Sequence, residues 1–245
     1  MAVLPHEGTF SIMYGNLNVP VGSGYRRGYL ARPDEAGTFP AVMLLPGARG
    51  LSSTDKDFSR RLARRGLACL AVDLYPGDDE PLLAYQARSD REILTDLDEA
   101  YEFLQSEDVF WAIQGAVGVV GFDIGGRFAL ILAARRQWVR GCVVVSTPLT
   151  GDEQRDHQVA DMLNHLGVPV LGLFGAADTL IVAETVHEAQ RRNDHGQWLL
   201  YENAGHAFYD DSSPDYEPAA AADAFSRIAS FLASCLPAAD IEDLG

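Results

Sequence analysis

Short β-branched and apolar runs alternate along the chain with segments of helical apolar spacing, which predicts strands alternating with helices. AVMLLP (41–46), LACLAVDLY (67–75), GAVGVVGF (115–122), GCVVVS (141–146), VPVLGLFG (168–175) and QWLLYEN (197–203) read as strands. STDKDFSRRLARRG reads as a helix closed by Gly66. DREILTDLDEAYEFLQ reads as another, with an apolar stripe of Ile93, Leu97, Ala100, Tyr101 and Leu104. Further helices are expected from IGGRFALILAARR, around 153–165, over 183–193 and roughly over 218–235. The opening TFSIMYGNLNVPVGSGYRRGYLARP reads as strands joined by Asn/Gly turns at an antiparallel edge. Residues 76–90 read as the longest irregular connection of the core, and 237–245 as a frayed tail. The alternation predicts one α/β domain over 1–245, a mostly parallel sheet of about eight strands with helices on both faces. Right-handed crossovers then bring the strands' carboxyl ends to one edge, where ligands bind in such sheets.

Composition narrows the function classes. The 245 residues are 47% apolar and 22% charged, as in an ordinary soluble domain. A formal charge of −16 argues against nucleic acid and anionic membranes, because phosphate binding needs clustered cations. The sequence has no apolar run of about 18 residues to span a bilayer. The start, MAVLPHEGTF, lacks the basic region and apolar stretch of a signal peptide, which points to the cytoplasm. Cys69 and Cys142 lie in strand-like runs and Cys235 near the end of the last helix, without metal-ligand spacing. Free thiols and no metal are expected.

The sharpest chemical signal is Gly121-Phe122-Asp123-Ile124-Gly125-Gly126, after a buried strand and at the start of a helix. That is the context of a nucleophile elbow, in which the Asp123 side chain projects above the sheet and the Ile124 N–H faces a developing oxyanion. Taken alone, the motif is weak evidence and reads first as a tight turn with a capping Asp. Two further segments change the balance. Gly175-Ala176-Ala177-Asp178 ends a strand with an acid that can orient a histidine, although Asp178 alone could be a turn residue. Asn203-Ala204-Gly205-His206-Ala207-Phe208 supplies the histidine after the last strand. The order nucleophile, acid, histidine is that of α/β-hydrolases.

These segments, with the Ala-rich Pro218–Ala224 and Ser226-Arg227-Ile228-Ala229-Ser230-Phe231, resemble the dienelactone hydrolase family from about residue 10 to 235. The resemblance implies an α/β-hydrolase fold, no cofactor, and a small carbonyl substrate such as a lactone or ester. It also implies a second oxyanion donor, the Ala48 N–H in Pro46-Gly47-Ala48-Arg49-Gly50. Three positions depart from the family. Asp123 stands where it has Cys or sometimes Ser. Pro46-Gly47-Ala48 lacks the glutamate that helps activate the thiol, and Tyr209-Asp210-Asp211 replaces an arginine that holds a substrate carboxylate. An acidic pair there repels a carboxylate, so dienelactone itself is not the expected substrate.

A carboxylate nucleophile gives a mixed anhydride at an ester carbonyl, but an ordinary ester at a saturated carbon bearing halide or epoxide oxygen. The second chemistry is that of haloalkane dehalogenases and epoxide hydrolases. A third reading forms no covalent bond, with Asp123 and His206 moving protons in a cyclase, lyase or isomerase. A catalytically dead fold that binds a ligand is the reading from another class. Phe122, Phe208 and Tyr209 adjoin the candidate positions and are expected as pocket walls. Arg49 could bind an anionic group or pair with Asp123. The expected partner is a small-molecule substrate, bound to a monomer or small homo-oligomer.

Overall fold

A computed structural model of the chain describes residues 8–22, 24–75, 80–150 and 155–241. β1 (Ile12–Val21) and β2 (Gly24–Pro33) form an antiparallel hairpin, and β2 pairs antiparallel with β4 (Ala68–Val72). From β4 the sheet runs parallel through β3 (Gly37–Leu45), β5 (Ala112–Phe122), β6 (Val139–Val145), β7 (Val170–Gly175) and β8 (Gln197–Tyr201). The order is β1-β2-β4-β3-β5-β6-β7-β8.

The strands read as continuous apolar runs because helices cover both faces. Along β3, Ala41, Met43 and Leu45 pack into one core with Ile93 and Leu97 of α3 (Asp90–Leu104) and Ile131 of α4 (Ile124–Arg135). The intervening Val42 and Leu44 face a second core with Leu62 of α1 (Ser53–Arg64) and Ile228 and Leu232 of α7 (Pro218–Cys235). Each of these leucines and isoleucines is essentially solvent-free. Burial at that level is worth roughly 1.5–3 kcal/mol per side chain.

Three expectations are corrected. Within 76–90, residues Pro81–Ala87 form a helix, α2, begun by a proline at a position where no amide hydrogen is needed, while 76–79 lie outside the described residues. The helix expected around 153–165 is only α5 (Val159–Met162), continued by a 3-10 turn over Leu163–His165, with 151–154 outside the described residues. The tail is not wholly frayed. Asp240–Ile241 form a ninth strand, β9, paired antiparallel with Gly37 and Thr38, and 242–245 lie outside the described residues. The helix at 183–193 is found as α6 (Ala183–Arg192). No helix among the described residues is long and apolar enough to cross a membrane.

Candidate active site

Asp123 occupies the junction of β5 and α4 at φ 47° and ψ −123°. A non-glycine residue in that region stores roughly 1–3 kcal/mol of strain. The surrounding glycines make the turn feasible. A Cβ on Gly121 would meet the Gly126 Cα at 2.3 Å, and one on Gly126 would meet Thr147 Oγ1 at 1.8 Å. Asp123 makes no side-chain cap to α4, which removes the capping reading. Its Oδ2 instead accepts from the Ala48 N–H at 3.0 Å. The Ile124 N–H, first in α4, lacks an intrahelical acceptor as helix geometry requires.

The carboxyl ends of the parallel strands bring in the other two groups. Asp178 follows β7 with its side chain fully buried, and its Oδ1 accepts from the Leu180 and Ile181 N–H groups at 2.7 and 3.0 Å. Its Oδ2 lies 2.8 Å from His206 Nδ1 in the turn after β8. His206 Nε2 faces Asp123 Oδ1 at 3.6 Å. The imidazole therefore sits between two carboxylates. Asp123 foremost, and then the Asp178 hydrogen bond, push His206 up to about 9 against the opposing effect of burial. By distance alone Asp178 is the tighter partner, since 3.6 Å is an ion-pair contact rather than a hydrogen bond. Both carboxylates favour the imidazolium over the neutral ring.

A cleft of about 210 Å³ opens over this pair, lined by Gly47, Ala48, Asp55, Tyr209 and Asp210 as well as Asp123 and His206. Larger clefts of about 570 and 500 Å³ flank it, sharing Arg49 and Gly50 on one side and Thr54 and Tyr209 on the other. Neither contains Asp123 or His206, so the smaller cleft is where their chemistry is available. Of the expected pocket walls, Tyr209 and Arg49 line the cleft. Phe122 and Phe208 do not: they are 2% and 0% exposed and pack beneath it, with Phe122 edge-on to Phe58. Alternation along β5 turns the residue before the elbow into the core.

Arg49 pairs with neither Asp123 nor an open anion site. Its partner is Asp210, which is 2% exposed and also accepts from Thr54 Oγ1 at 2.8 Å and from the Ser212 N–H and hydroxyl. The Asp210 charge is thus spent on Arg49 instead of repelling a ligand. Arg88, directly after α2, is held by Asp96 and the Leu74 carbonyl. Sequence reasoning missed Asp55. Ser52-x-x-Asp55 is a capping box at the start of α1, a legible signal directly after the Pro46–Gly50 loop. Burial pushes Asp55 up to about 6, opposed by its hydrogen bonds from Ser52. Among the described residues no cluster of three His, Cys, Asp or Glu side chains could hold a metal ion.

The model of the dienelactone hydrolase family matches residues 26–236. A Methylorubrum extorquens protein assigned as a carboxymethylenebutenolidase is 31% identical over 233 residues, covering 89% of this chain and 79% of that one. A Bradyrhizobium protein assigned as a 2-oxo-3-(5-oxofuran-2-ylidene)propanoate lactonase is 30% identical, covering 84% and 88%. Among solved structures, one assigned as a dienelactone hydrolase from Klebsiella pneumoniae superposes with a TM-score of 0.83 at 26% identity, covering 91% of this chain and 99% of that one. A family match over most of the length, an α/β sheet of the same architecture and an elbow at the end of β5 lead to one assignment: this chain belongs to the dienelactone hydrolase family, as an α/β-hydrolase with Asp123 at the elbow.

Proposed function

We propose that this enzyme hydrolyses a small lactone or ester in the cleft over Asp123, with the Asp123 carboxylate as nucleophile and His206 as proton carrier. The observation that carries this reading is the division of labour within one carboxylate. Oδ2 is held by the Ala48 N–H at 3.0 Å, while Oδ1 faces the cleft and the His206 imidazolium. In the first step Oδ1 bonds to the acyl carbon and the ring or alkoxy oxygen leaves, taking the proton from His206 Nε2. Neutral His206, oriented by Asp178, then removes a proton from water as the water oxygen attacks Asp123 Cγ. The oxyanion that forms there is Oδ2, already on a hydrogen-bond donor. Collapse releases the product carboxylate, and Asp123 gives up its extra proton to solvent.

The intermediate is a mixed anhydride, so the reading favours substrates whose leaving oxygen departs easily. An enol lactone is such a substrate, because its leaving enol becomes a ketone, and the name of the Bradyrhizobium relative describes a ring of that kind.

One observation favours a second reading. With the Ala48 N–H engaged by Asp123, a substrate carbonyl loses one of its two expected oxyanion donors. Attack on a saturated carbon needs no such donor in the first step and gives an alkyl ester. Rapid quenching of the His206→Gln protein with an aryl ester, an enol lactone and an epoxide, followed by mass spectrometry, tests both. A hydroxylamine-labile acyl adduct on Asp123 supports the first reading, and a hydroxylamine-stable alkyl adduct from the epoxide alone supports the second. Turnover by the unmodified enzyme without any adduct in either experiment would overturn both.

A further inference from the structure

Two polar side chains that line the cleft, Asp55 and Tyr209, have no role in the steps above, and each has a polar atom without a hydrogen bond among the described residues. Asp55 is 5% exposed, and its Oδ2 is fixed by the Ser52 N–H and hydroxyl at 2.8 and 2.6 Å. No hydrogen bond is made to its Oδ1 among the described residues, yet that oxygen is not among the sealed polar atoms, and Asp55 lines the same cleft as Asp123 and His206. The Tyr209 hydroxyl is in the same condition: it makes no hydrogen bond, it is not sealed, and Tyr209 lines the cleft. Both side chains are held from behind. The Tyr209 ring packs on Phe122 at 4.6 Å and on Phe208 at 5.9 Å, and Asp55 is locked into the capping box of α1. The two side chains line one cleft of only about 210 Å³. Burial foremost, then the Asp123 and Asp55 charges, push the phenol well above its ordinary value. The phenol is therefore a donor at any working pH. Asp55, at about 6, is mainly an ionised acceptor at neutral pH.

Polar atoms on a cleft wall that are packed from behind and make no hydrogen bond among the described residues mark a place where a ligand or water completes the hydrogen bonding. We infer that Asp55 and Tyr209 form a hydroxyl-binding subsite, and that the substrate is a lactone or ester bearing a free hydroxyl beside the scissile group. A hydroxyl accepts from Tyr209 and donates to Asp55 at once. A ketone cannot donate, an ammonium cannot accept, and a carboxylate would be repelled by Asp55. The inference rests on the lactone or ester reading for its substrate class, but its test is one of binding.

Dissociation constants of α-hydroxy-γ-butyrolactone and of γ-butyrolactone, which differ by one hydroxyl, are measured by ligand-observed NMR on the His206→Ala protein. That protein does not turn them over, so failure of the unmodified enzyme to hydrolyse lactones would strike the proposed function and leave this comparison standing. The hydroxylated lactone is expected to bind about tenfold tighter or more, the low end for one hydrogen bond to a charged group. Tyr209→Phe keeps the ring packing, and Asp55→Asn keeps an oxygen for the Ser52 N–H. Each should erase most of the preference, weakening the hydroxylated lactone more than γ-butyrolactone. Equal binding of the two lactones, no binding of either, a preference that survives in both variants, or a parallel loss for both lactones would overturn the inference. If Asp55→Asn does not fold, as judged by thermal melting, Tyr209→Phe alone decides.

Discussion

Replacing Asp123 by Asn removes the charge opposite His206 while keeping the side chain's size. The rise of His206 from 6.5 to about 9 is worth roughly 3 kcal/mol in favour of the imidazolium. Its side chain is 20% exposed, so solvent screening leaves most of that in place. Asp123 is the largest cause, ahead of Asp178. The Asp123→Asn protein should therefore titrate His206 more than one pH unit lower, read from the imidazole Cε1–H resonance by NMR. The sign of the linked stability follows. A histidine raised above its unfolded value contributes fully below about 6.5, and that contribution is lost as pH rises through about 9. Urea unfolding of the two proteins between pH 6 and 10 should show the wild-type advantage shrinking by at least about 1.4 kcal/mol, the equivalent of one pH unit. Asp178→Asn makes the comparison sharper, because at 2.8 Å it is the nearer partner. An unchanged midpoint in Asp123→Asn, or a larger fall in Asp178→Asn, would refute the reasoning that the elbow carboxylate governs the imidazole.

Three further outcomes test the framework. Asp178→Ala should lower kcat on an enol lactone or aryl ester by on the order of a hundredfold to ten-thousandfold with little change in KM, because the ring loses its orientation. Gly126→Ala puts a methyl 1.8 Å from Thr147 Oγ1 and should cost about 3 kcal/mol or prevent folding, read by thermal melting. Arg127→Met strands the Asp90 carboxylate, whose side chain is fully buried, and should cost about 3 kcal/mol in urea unfolding. The low end of the range for broken buried pairs applies there, because Asp90 keeps the His157 N–H at 3.1 Å and Arg155 at 3.7 Å.

The fold was legible where periodicity is long and unbroken. α3 announces itself by Ile93, Leu97, Ala100 and Leu104, all buried on one side, and β5 and β7 by continuous apolar runs. The convergence of Asp123, Asp178 and His206 was legible for a different reason: each follows a strand, and parallel strands end at one edge. What failed depended on contacts remote in sequence. The segment at 240–241 is acidic and looks frayed, yet its backbone finds Gly37 and Thr38 some 200 residues away. Phe122 and Phe208 adjoin the site in sequence but turn into the core: Phe122 because alternation along β5 opposes it to the elbow, Phe208 because the turn after β8 buries its ring against Tyr201 and Tyr209. Asp55 was missed because a capping box accounts for it in the sequence, and only the structure puts it on the wall of the cleft over Asp123 and His206.

The elbow aspartate is easier to understand once the surrounding charges are counted together. At φ 47° and ψ −123° the backbone of Asp123 is strained for any residue with a side chain, and the neighbouring glycines leave room for the turn. The positive end of the 12-residue α4, the Ala48 N–H and the His206 imidazolium all stand against its negative charge. In the family, the first loop supplies an acid and the segment after the histidine an arginine. Here Arg49 and Asp210 interchange those charges and close on each other, while Asp123 and Asp178 are the carboxylates that His206 meets. A thiol site needs a base to create its anion, whereas a carboxylate site begins with the anion and needs an acid for the leaving oxygen. An imidazole raised to about 9 supplies that acid, so the change at residue 123 and the charge on His206 belong to one arrangement.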